Sequence, residues 1–295
     1  MRIKDNQLNS ILTFFTEELK NLYPYAESES LFYWAAEELL SKSRMELKSK
    51  LQERINESDL LLFFEVVKRL HKGEPIQYIF EKAYFSDLIL KVNSQVLIPR
   101  PETEELLFWT IKGKKQTNIN LKILDLCTGS GCLAIALAKQ FPMAEVHAVD
   151  FSTTALQIAQ ENAINNQTKI LFQQANLLQD KLQIAPTKNY FHLIVSNPPY
   201  VRESEKKYIR PNVLHFEPEL ALFVKDEDPL IFYDALAQIA MQELQIGGDI
   251  FVEINENLAK ETLQIFQDHG LDNCELKKDL NDKWRMLHGQ KKDRS

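Results

Sequence analysis

The chain has 295 residues, of which 44% are hydrophobic and 26% are charged, values that are ordinary for a soluble globular protein. Its length predicts two domains, since domains average roughly 150 residues. The net charge of −7 disfavours a protein that grips nucleic acid along its phosphates, because such binding rewards clustered Lys and Arg.

Cysteines and apolar runs indicate the setting in which the chain works. The three cysteines include no C-x-x-C pair, and the six histidines show no metal-ligand spacing, so we expect neither disulfides nor a metal site. The first residues lack the apolar core of a signal peptide, and the richest apolar run, 60–67, is too short to span a bilayer. These features predict a cytoplasmic protein without membrane contact.

Residues 1–82 are predicted to form a small helical domain. Apolar residues recur at three- and four-residue spacings over 8–22, 31–40 and 60–70, which is the period of an amphipathic helix. Gly73 is a stop signal for the last of these helices. The segment carries no visible chemistry, so we expect it to dock a partner or to brace the domain that follows.

Residues 83–104 are predicted to be a β-hairpin linker. Two short runs rich in β-branched residues, 85–92 and 95–98, flank the turn-prone pair Asn93-Ser94. The prolines of I-P-R-P-E-T-E-E then disfavour a helix until the acidic residues that follow them.

Residues 105–295 alternate predicted strands with predicted helices. The main strands are L-K-I-L-D-L, E-V-H-A-V-D, K-I-L-F-Q, F-H-L-I-V-S-N and D-I-F-V-E-I, with two shorter runs at the C-terminus. The helices are expected over 132–140, 153–165, 230–244 and 258–269. Such alternation is typical of the α/β class, in which helices cover both faces of a mostly parallel sheet.

A glycine-rich loop, D-L-C-T-G-S-G-C, follows the first of these strands and precedes a helix. Gly129 and Gly131 let the backbone approach a ligand closely, and the helix N-terminus offers free N–H groups. Asp150 ends the next strand, where open α/β sheets place an acid for ribose hydroxyls. The loop lacks the third glycine of dinucleotide binders, which favours adenosine carrying a sulfonium amino acid over NAD. A tight turn without a ligand is the alternative.

The sharpest signal is N-P-P-Y, which closes the strand F-H-L-I-V-S at the edge where ligands collect in this architecture. Pro198 and Pro199 fix a rigid turn that exposes carbonyl oxygens. Asn197 adds a side-chain acceptor, and Tyr200 adds a flat face for a planar group.

These groups suit a poor nucleophile, the nitrogen of an amide or aromatic amine. Two acceptors that hold its N–H bonds orient the nitrogen and stabilise the positive charge that develops on it. We therefore predict methyl transfer from S-adenosylmethionine to a planar nitrogen. A Pro-Pro turn that only ends a strand is the alternative.

The loop, Asp150 and N-P-P-Y resemble the amino-methyltransferases of the Rossmann-like class I fold. Four further segments are similar to a narrower group, the peptide chain release factor N5-glutamine methyltransferases: I-P-R-P-E-T-E-E-L-L at 98–107, E-P-E-L-A-L at 217–222, F-Y-D-A-L at 232–236 and D-L-N-D-K-W-R at 279–285. The resemblance implies a mostly parallel, seven-stranded sheet and S-adenosylmethionine as cofactor. It also implies methylation of the glutamine in the Gly-Gly-Gln loop of release factors. The enzyme is expected to be a monomer without stable nucleic-acid binding.

The resemblance also assigns the cofactor site. The residues expected to line the methionine and ribose of the cofactor are Cys127, Thr128, Gly129, Ser130 and Gly131. Asp150 would bind the ribose hydroxyls, while Asn176 and Leu177 would lie near the adenine. Asn197 is expected to contact the cofactor as well.

The same resemblance assigns the substrate site. The residues expected to hold the glutamine amide are Asn197, Pro198, Pro199 and Tyr200, and all of these except Pro199 are expected to be catalytic. Cys127 and Asn255 depart from the family pattern, since each stands where glycine is usual.

Several charged residues near these motifs have more than one interpretation. Arg100 and Glu102 could cover the cofactor, shape the glutamine entrance or serve a domain hinge. Glu253 ends a predicted core strand and Arg285 lies near the C-terminus, and for these we expect a structural ion pair. The charged run 202–207 is expected to be a solvated loop.

Three other functions compete with release factor methylation. A methyltransferase for a ribosomal protein glutamine would differ only in its docking surface. An adenine-N6 methyltransferase would also use N-P-P-Y, but it has to extract a base and grip phosphates, for which this acidic chain shows no basic segment. A non-catalytic binding module would have lost Asn197 or the prolines, and all are present.

Overall fold

The computed structural model describes residues 3–114, 120–178 and 186–293. Internal contacts divide the chain into two compact units. One unit comprises Met1–Glu81 and Arg210–Phe216, and the other comprises Lys82–Ile209 and Glu217–Ser295. The short segment at 210–216 therefore belongs to the helical unit, although it is distant from it in sequence.

The helices of the described residues are α1 (Leu8–Leu19), α2 (Tyr25–Leu40), α3 (Arg44–Ser49), α4 (Glu57–His71), α5 (Ile76–Ile79), α6 (Pro101–Lys114), α7 (Cys132–Gln140), α8 (Thr153–Asn165), α9 (Pro211–Phe216), α10 (Ile231–Glu243) and α11 (Ala259–His269). The strands are β1 (Lys82–Phe85), β2 (Leu88–Lys91), β3 (Lys122–Leu126), β4 (Glu145–Asp150), β5 (Ile170–Gln174), β6 (Phe191–Ser196), β7 (Val201–Arg202), β8 (Phe223–Val224), β9 (Leu244–Glu253), β10 (Asp272–Lys278) and β11 (Trp284–Gln290). Short 3-10 helices cover Glu203–Tyr208, Glu219–Ala221 and Glu256–Leu258.

The helical unit has an apolar core shared by α1, α2 and α4. Each of these helices contributes one fully buried aromatic side chain, Phe15, Phe32 and Phe63. The ring centroids lie 5.8 Å apart in both the Phe15–Phe32 and the Phe32–Phe63 pairs. Close aromatic pairs of this kind contribute about 0.5–1.5 kcal/mol each beyond area burial. The helical periodicity predicted for this part of the chain is confirmed.

The apolar periodicity does not predict α3, because this short helix buries only Leu47. Its N-terminus carries a capping box instead. The Ser43 hydroxyl accepts a hydrogen bond from the Glu46 N–H, and the Glu46 carboxylate accepts one from the Ser43 N–H. The pattern S-x-x-E is therefore the sequence signal for this helix.

Strands β1 and β2 form a hairpin whose turn lies earlier than predicted. Phe85 pairs with Leu88, so the two residues between them form the turn, with Ser86 at a φ of 52°. Alternating buried and exposed side chains set this register on both strands. The pair at 93–94 begins a separate turn after the hairpin, and no strand follows it over 95–98. The prediction of a second strand there is wrong.

The α/β unit contains a seven-stranded sheet in the order β10-β11-β9-β6-β3-β4-β5. The five strands from β9 to β5 run parallel, whereas β10 and β11 are antiparallel. The predicted α/β class with a mostly parallel, seven-stranded sheet is confirmed. Strands β3, β4 and β6 are neighbours, so the segments after their carboxyl ends meet at one edge of the sheet.

Two apolar cores cover the two faces of this sheet. Along β6, Leu193 and Val195 join one core with α6 and α7, while Ile194 joins the other core with α10 and α11. Side chains alternate between faces in a strand, so a strand that is buried on both faces reads as a continuous apolar run. This packing fixes the strand ends that carry the motifs.

In the part of the chain that the structure describes, every helix is too short or too polar to cross a membrane.

Candidate active site

A cavity of about 440 Å³ opens at the carboxyl ends of β3, β4 and β6. This volume lies within the roughly 300–1,000 Å³ of small-molecule sites. Strands β4 and β5 lie on one side of β3 and β6 lies on the other, so the chain order reverses at this point. Open α/β sheets bind their ligands at such a switch point.

Most of the residues that the sequence assigns to the site line this cavity. They are Cys127, Thr128, Gly129, Ser130, Asp150, Asn176, Leu177, Asn197 and Pro199. The predicted residues Gly131, Pro198 and Tyr200 are not among those that line it. Further residues, which the sequence does not assign to the site, also form its wall, including Thr103, Asp125, Phe151 and Phe232.

The two glycines of the loop serve different purposes. A Cβ on Gly129 would meet nothing within 4 Å, so this backbone faces open space in the cavity wall. A Cβ on Gly131 would approach Ala159 and Ile135 to 3.2 Å, and its φ of 83° is one that other residues rarely adopt. Gly129 therefore leaves room for a ligand, whereas Gly131 permits the close packing of α7 against α8.

Cys127 begins the loop in a strained conformation. Its φ is 61°, in the left-handed region that favours glycine. The thiol lines the cavity, and burial raises its pKa well above the ordinary value. A protonated thiol packs as a small apolar group.

Asp150 ties the loop to the end of β4. Its carboxylate accepts hydrogen bonds from the N–H groups of Gly129, at 2.8 Å, and Ser152, at 2.9 Å. Burial raises the pKa of this carboxyl. Each oxygen keeps a further lone pair, so the group can still accept hydrogen bonds from a ligand in the cavity. The neighbouring Phe151 offers a half-exposed ring at the same wall.

Asp125 is a buried carboxyl with one unpaired oxygen. Its Oδ2 accepts from the Thr128 hydroxyl at 2.6 Å and from the Ala134 N–H at 3.1 Å. Its Oδ1 is buried and has no hydrogen-bond partner among the described residues. Burial raises the pKa of Asp125 to about 7. An unsatisfied buried acceptor in a cavity wall indicates the place of a donor supplied by a ligand.

The N-P-P-Y turn is anchored by buried side chains behind it. Asn197 Nδ2 donates to the Thr103 hydroxyl at 3.0 Å, and that hydroxyl donates to Glu253 at 2.7 Å. The Tyr200 hydroxyl donates to the other oxygen of Glu253 at 2.7 Å. Asn255 Nδ2 donates to the backbone carbonyl of Tyr200 at 3.0 Å. Tyr200 is thus held at both its ring and its backbone.

A structural ion pair is expected for Glu253 and for Arg285, and of these two only Arg285 forms one among the described residues. Glu253 accepts from two hydroxyls, while the guanidinium of Arg285 lies 3.5 Å from Asp279 and 3.8 Å from Glu256. The structure places Glu253 directly behind the N-P-P-Y turn, and burial raises the pKa of its carboxyl.

The charged run after the turn is ordered by Glu205. Its carboxylate accepts hydrogen bonds from Arg202, Asn255 and Asn257 at 2.9–3.0 Å. These bonds outweigh burial and lower the pKa of Glu205 to about 2. The run 202–207 is predicted to be a solvated loop. Glu203, Ser204 and Lys207 are exposed, but most of the run forms a 3-10 helix instead of a loop.

Arg100 joins two segments of the cavity wall. Its guanidinium pairs with Glu217 at 2.6 Å, and the second oxygen of Glu217 accepts from the Ile98 N–H at 3.2 Å. The adjoining residues Pro99 and Pro218 both line the cavity. These contacts hold the segments that contain Pro99 and Pro218 together in the cavity wall.

Known proteins are similar to this chain over most of its length. The Methyltransferase small domain family matches residues 103–215, and the PrmC N-terminal domain family matches residues 10–80. The release factor glutamine methyltransferase of Flavobacterium psychrophilum is 42% identical over 277 residues, which cover 93% of this chain and 96% of that protein. The protein of that name from Bacteroides thetaiotaomicron is 34% identical, with 95% and 99% covered.

A solved methyltransferase structure from Pyrococcus furiosus aligns over 77% of this chain and 98% of its own, with a TM-score of 0.51 and 16% identity. At this level of identity, the similarity shows a shared fold and nothing about function. Full-length similarity to the curated relatives concerns the family, and on that evidence the chain belongs to the release factor glutamine methyltransferases.

Proposed function

We propose that this enzyme transfers a methyl group from S-adenosylmethionine to the side-chain amide nitrogen of the glutamine in the Gly-Gly-Gln loop of peptide chain release factors. The product is N5-methylglutamine. The observation that carries the proposal is that one cavity joins an unpaired carboxylate oxygen, Asp125 Oδ1, to the amide side chain of Asn197 at the N-P-P-Y turn. A cationic amino-acid cofactor and a neutral amide substrate need these two kinds of acceptor.

The cavity wall fits S-adenosylmethionine, which carries an ammonium group, ribose hydroxyls and an adenine ring. Asp125 offers an acceptor for the ammonium group, and Asp150 offers one for the hydroxyls. Leu177 and Phe151 offer apolar surface for the ring. Gly129 lets the cofactor approach the loop backbone, because no side chain fills the space beside it. When bound, the cofactor supplies an activated methyl group on its sulfonium.

The protein's task is to orient and desolvate a poor nucleophile. The Asn197 side-chain oxygen and the carbonyl of Pro198 would accept the two N–H bonds of the substrate amide, which turns its nitrogen face toward the methyl group. Both acceptors also stabilise positive charge on that nitrogen as the new C–N bond forms. One amide proton leaves in the net reaction. Such orientation lowers the barrier by roughly 7–11 kcal/mol.

The helical unit is proposed to dock the release factor, with the enzyme acting as a monomer in the cytoplasm. The match of residues 10–80 to the PrmC N-terminal domain family supports a dedicated role for this unit. It also carries exposed apolar side chains, Met45 and Leu61, which are 81% and 64% exposed. Replacing both by serine should raise the KM for the release factor and leave kcat intact. An unchanged KM would refute docking through this surface.

Labelled S-adenosylmethionine tests the proposed function directly. The enzyme is incubated separately with a release factor, the same factor with its Gly-Gly-Gln glutamine replaced by alanine, ribosomal proteins and DNA. We expect label in the first sample only. Label in ribosomal protein or DNA, and none in the release factor, would assign the chain to one of the competing methyltransferase functions.

A further inference from the structure

Thr103, Asn197 and Glu253 form one continuous chain of hydrogen bonds, although they lie far apart in sequence. Asn197 Nδ2 donates to Thr103 Oγ1 at 3.0 Å, and Thr103 Oγ1 donates to Glu253 Oε2 at 2.7 Å. Thr103 is 2% exposed and Glu253 is 1% exposed, so no bulk water competes for these bonds. Asn197, at the open end of the chain, lines the cavity.

The direction of these bonds is set at the carboxylate. Both oxygens of Glu253 accept from hydroxyls, those of Thr103 and Tyr200, so the single hydroxyl proton of Thr103 points toward the carboxyl. The hydroxyl then offers Asn197 only lone pairs. The Asn197 amide must therefore present its NH₂ group to Thr103, which leaves its Oδ1 as the acceptor on the cavity side.

This direction matters because the substrate amide brings two donors. An Asn197 turned by half a rotation would present N–H groups to the N–H groups of the glutamine, and one of the two acceptors would be lost. Sequence patterns do not distinguish these two orientations, since both use the same residue. The buried carboxylate distinguishes them.

We infer that Glu253, acting through Thr103, is a positioning residue that fixes the Asn197 oxygen toward the glutamine amide. The inference rests on the proposed function and adds two residues to it. Neither Thr103 nor Glu253 has to touch the reacting atoms. Thr103 supplies the link because α6 begins at Pro101, which places Thr103 in its first turn beside the end of β9.

The second oxygen of Glu253 is occupied as well, by the Tyr200 hydroxyl at 2.7 Å. Titratable and charged groups around this carboxyl are Tyr200, Tyr233, Arg285, Glu102 and Cys132. A proton on the oxygen that faces Thr103 would have to be donated to it, and the Thr103 hydroxyl would then turn toward Asn197. Turnover should therefore fall at acid pH, as Glu253 becomes protonated.

Thr103→Val tests the inference, because valine keeps the shape and removes the hydroxyl. We expect kcat to fall about 10- to 100-fold, less than the 10²–10³ for complete loss of a preorganised contact. The cofactor Kd should change less than about threefold, since Asp125 and Asp150 are untouched. Thr103→Ser keeps the hydroxyl and should retain most of kcat. Thr110→Val is the matched control, because Thr110 is a buried threonine of the same helix whose hydroxyl donates only to the Leu106 carbonyl.

A double-mutant comparison separates positioning from a merely structural role. If Thr103 acts through Asn197, then Thr103→Val should cost no further kcat in a chain that already carries Asn197→Ala. Glu253→Gln should lower kcat at neutral pH and remove the fall of kcat at acid pH. If Thr103→Val fails to fold, this pH profile of kcat tests the positioning role instead.

The outcomes of these experiments distinguish failure of the proposed function from failure of the positioning role of Glu253. A wild-type enzyme that leaves the release factor unlabelled overturns the proposed function and this inference with it. A wild-type enzyme that labels it, together with a Thr103→Val variant of equal kcat, overturns the inference alone. The inference is also overturned if Thr103→Val lowers kcat further in the Asn197→Ala background. It is overturned as well if kcat, measured at saturating cofactor, still falls at acid pH in Glu253→Gln.

Discussion

Two buried carboxyls belong to the candidate site, one in the cavity wall and one behind Asn197, and they differ in what occupies their oxygens. Asp125 and Glu253 are each 1% exposed, and burial raises the pKa of both. Asp125 Oδ1 has no partner among the described residues, whereas both oxygens of Glu253 accept from protein hydroxyls. An acceptor left open is available to a ligand, and an acceptor already filled can only orient its neighbours. We propose that the cavity binds the cofactor at Asp125 and the substrate amide at Asn197, and we call these two places the cofactor end and the substrate end.

The largest expected effect is at the substrate end. Asn197→Ala removes one acceptor for the glutamine amide, and we expect kcat to fall about 10²–10³-fold. The cofactor Kd should change far less, because the cofactor end is intact. Steady-state kinetics with a saturating release factor, together with calorimetry of cofactor binding, measure the two effects. Asn165→Ala, on the exposed surface of α8, is the control. Equal losses of kcat and cofactor affinity in Asn197→Ala would contradict separate cofactor and substrate ends.

The opposite pattern is expected at the cofactor end. Asp125→Ala removes the open acceptor, and we expect the Kd for S-adenosylmethionine to rise roughly 10- to 100-fold, the range for a hydrogen bond to a charged group. At saturating cofactor, kcat should be close to that of the wild type. Asp125→Asn keeps the shape and tests the charge alone. An Asp125→Ala variant with normal cofactor affinity would show that this oxygen is not a ligand site.

The pH dependence of cofactor binding also tests whether Asp125 binds the cofactor. Burial raises the pKa of Asp125 to about 7, so below that pH the free enzyme holds a neutral carboxyl. A cationic ligand favours the ionised form, and binding then has to expel a proton. Cofactor affinity should be constant above about pH 7 and weaken by up to about tenfold for each pH unit below it. Titrations in buffers of different ionisation enthalpy measure the released proton. A flat profile in the wild type would contradict the assignment.

The smallest expected effect concerns the loop at the cofactor end. Cys127 adopts a φ of 61°, a conformation that costs non-glycine residues about 1–2 kcal/mol. Cys127→Gly relieves that cost but also frees the unfolded chain and removes a packed thiol. We expect a net gain in unfolding free energy of no more than about 1 kcal/mol. Urea denaturation measures it. A clear loss of stability would show that packing of the thiol outweighs the strain.

The sequence predicts those strands and helices whose apolar residues follow a regular period. Strands β3, β4 and β6 and helices α7, α8 and α10 carry long periodic runs, and each was found where the pattern placed it to within a residue or two. The hairpin turn was misplaced because Asn93-Ser94 has turn chemistry, yet the apolar alternation of Phe85 and Leu88 decides the register.

The active site was predictable only where its residues form local motifs. The glycine loop and N-P-P-Y are contiguous and follow strand ends, so the topology brings them together. Thr103 and Glu253 are 150 residues apart and meet through tertiary packing, which no local pattern reports. Asp125 carried a signal that could have been used, since it is a charged residue inside an otherwise apolar central strand.

The most direct test of the account is to locate the methyl group on the substrate. Tandem mass spectrometry of the release factor, after incubation with S-adenosylmethionine and either the wild-type enzyme or Asn197→Ala, identifies the modified atom. We predict methylation of the Gly-Gly-Gln glutamine at its side-chain nitrogen by the wild type, and little of it by the variant. A methyl group on any other residue, or equal methylation by Asn197→Ala, would contradict the account.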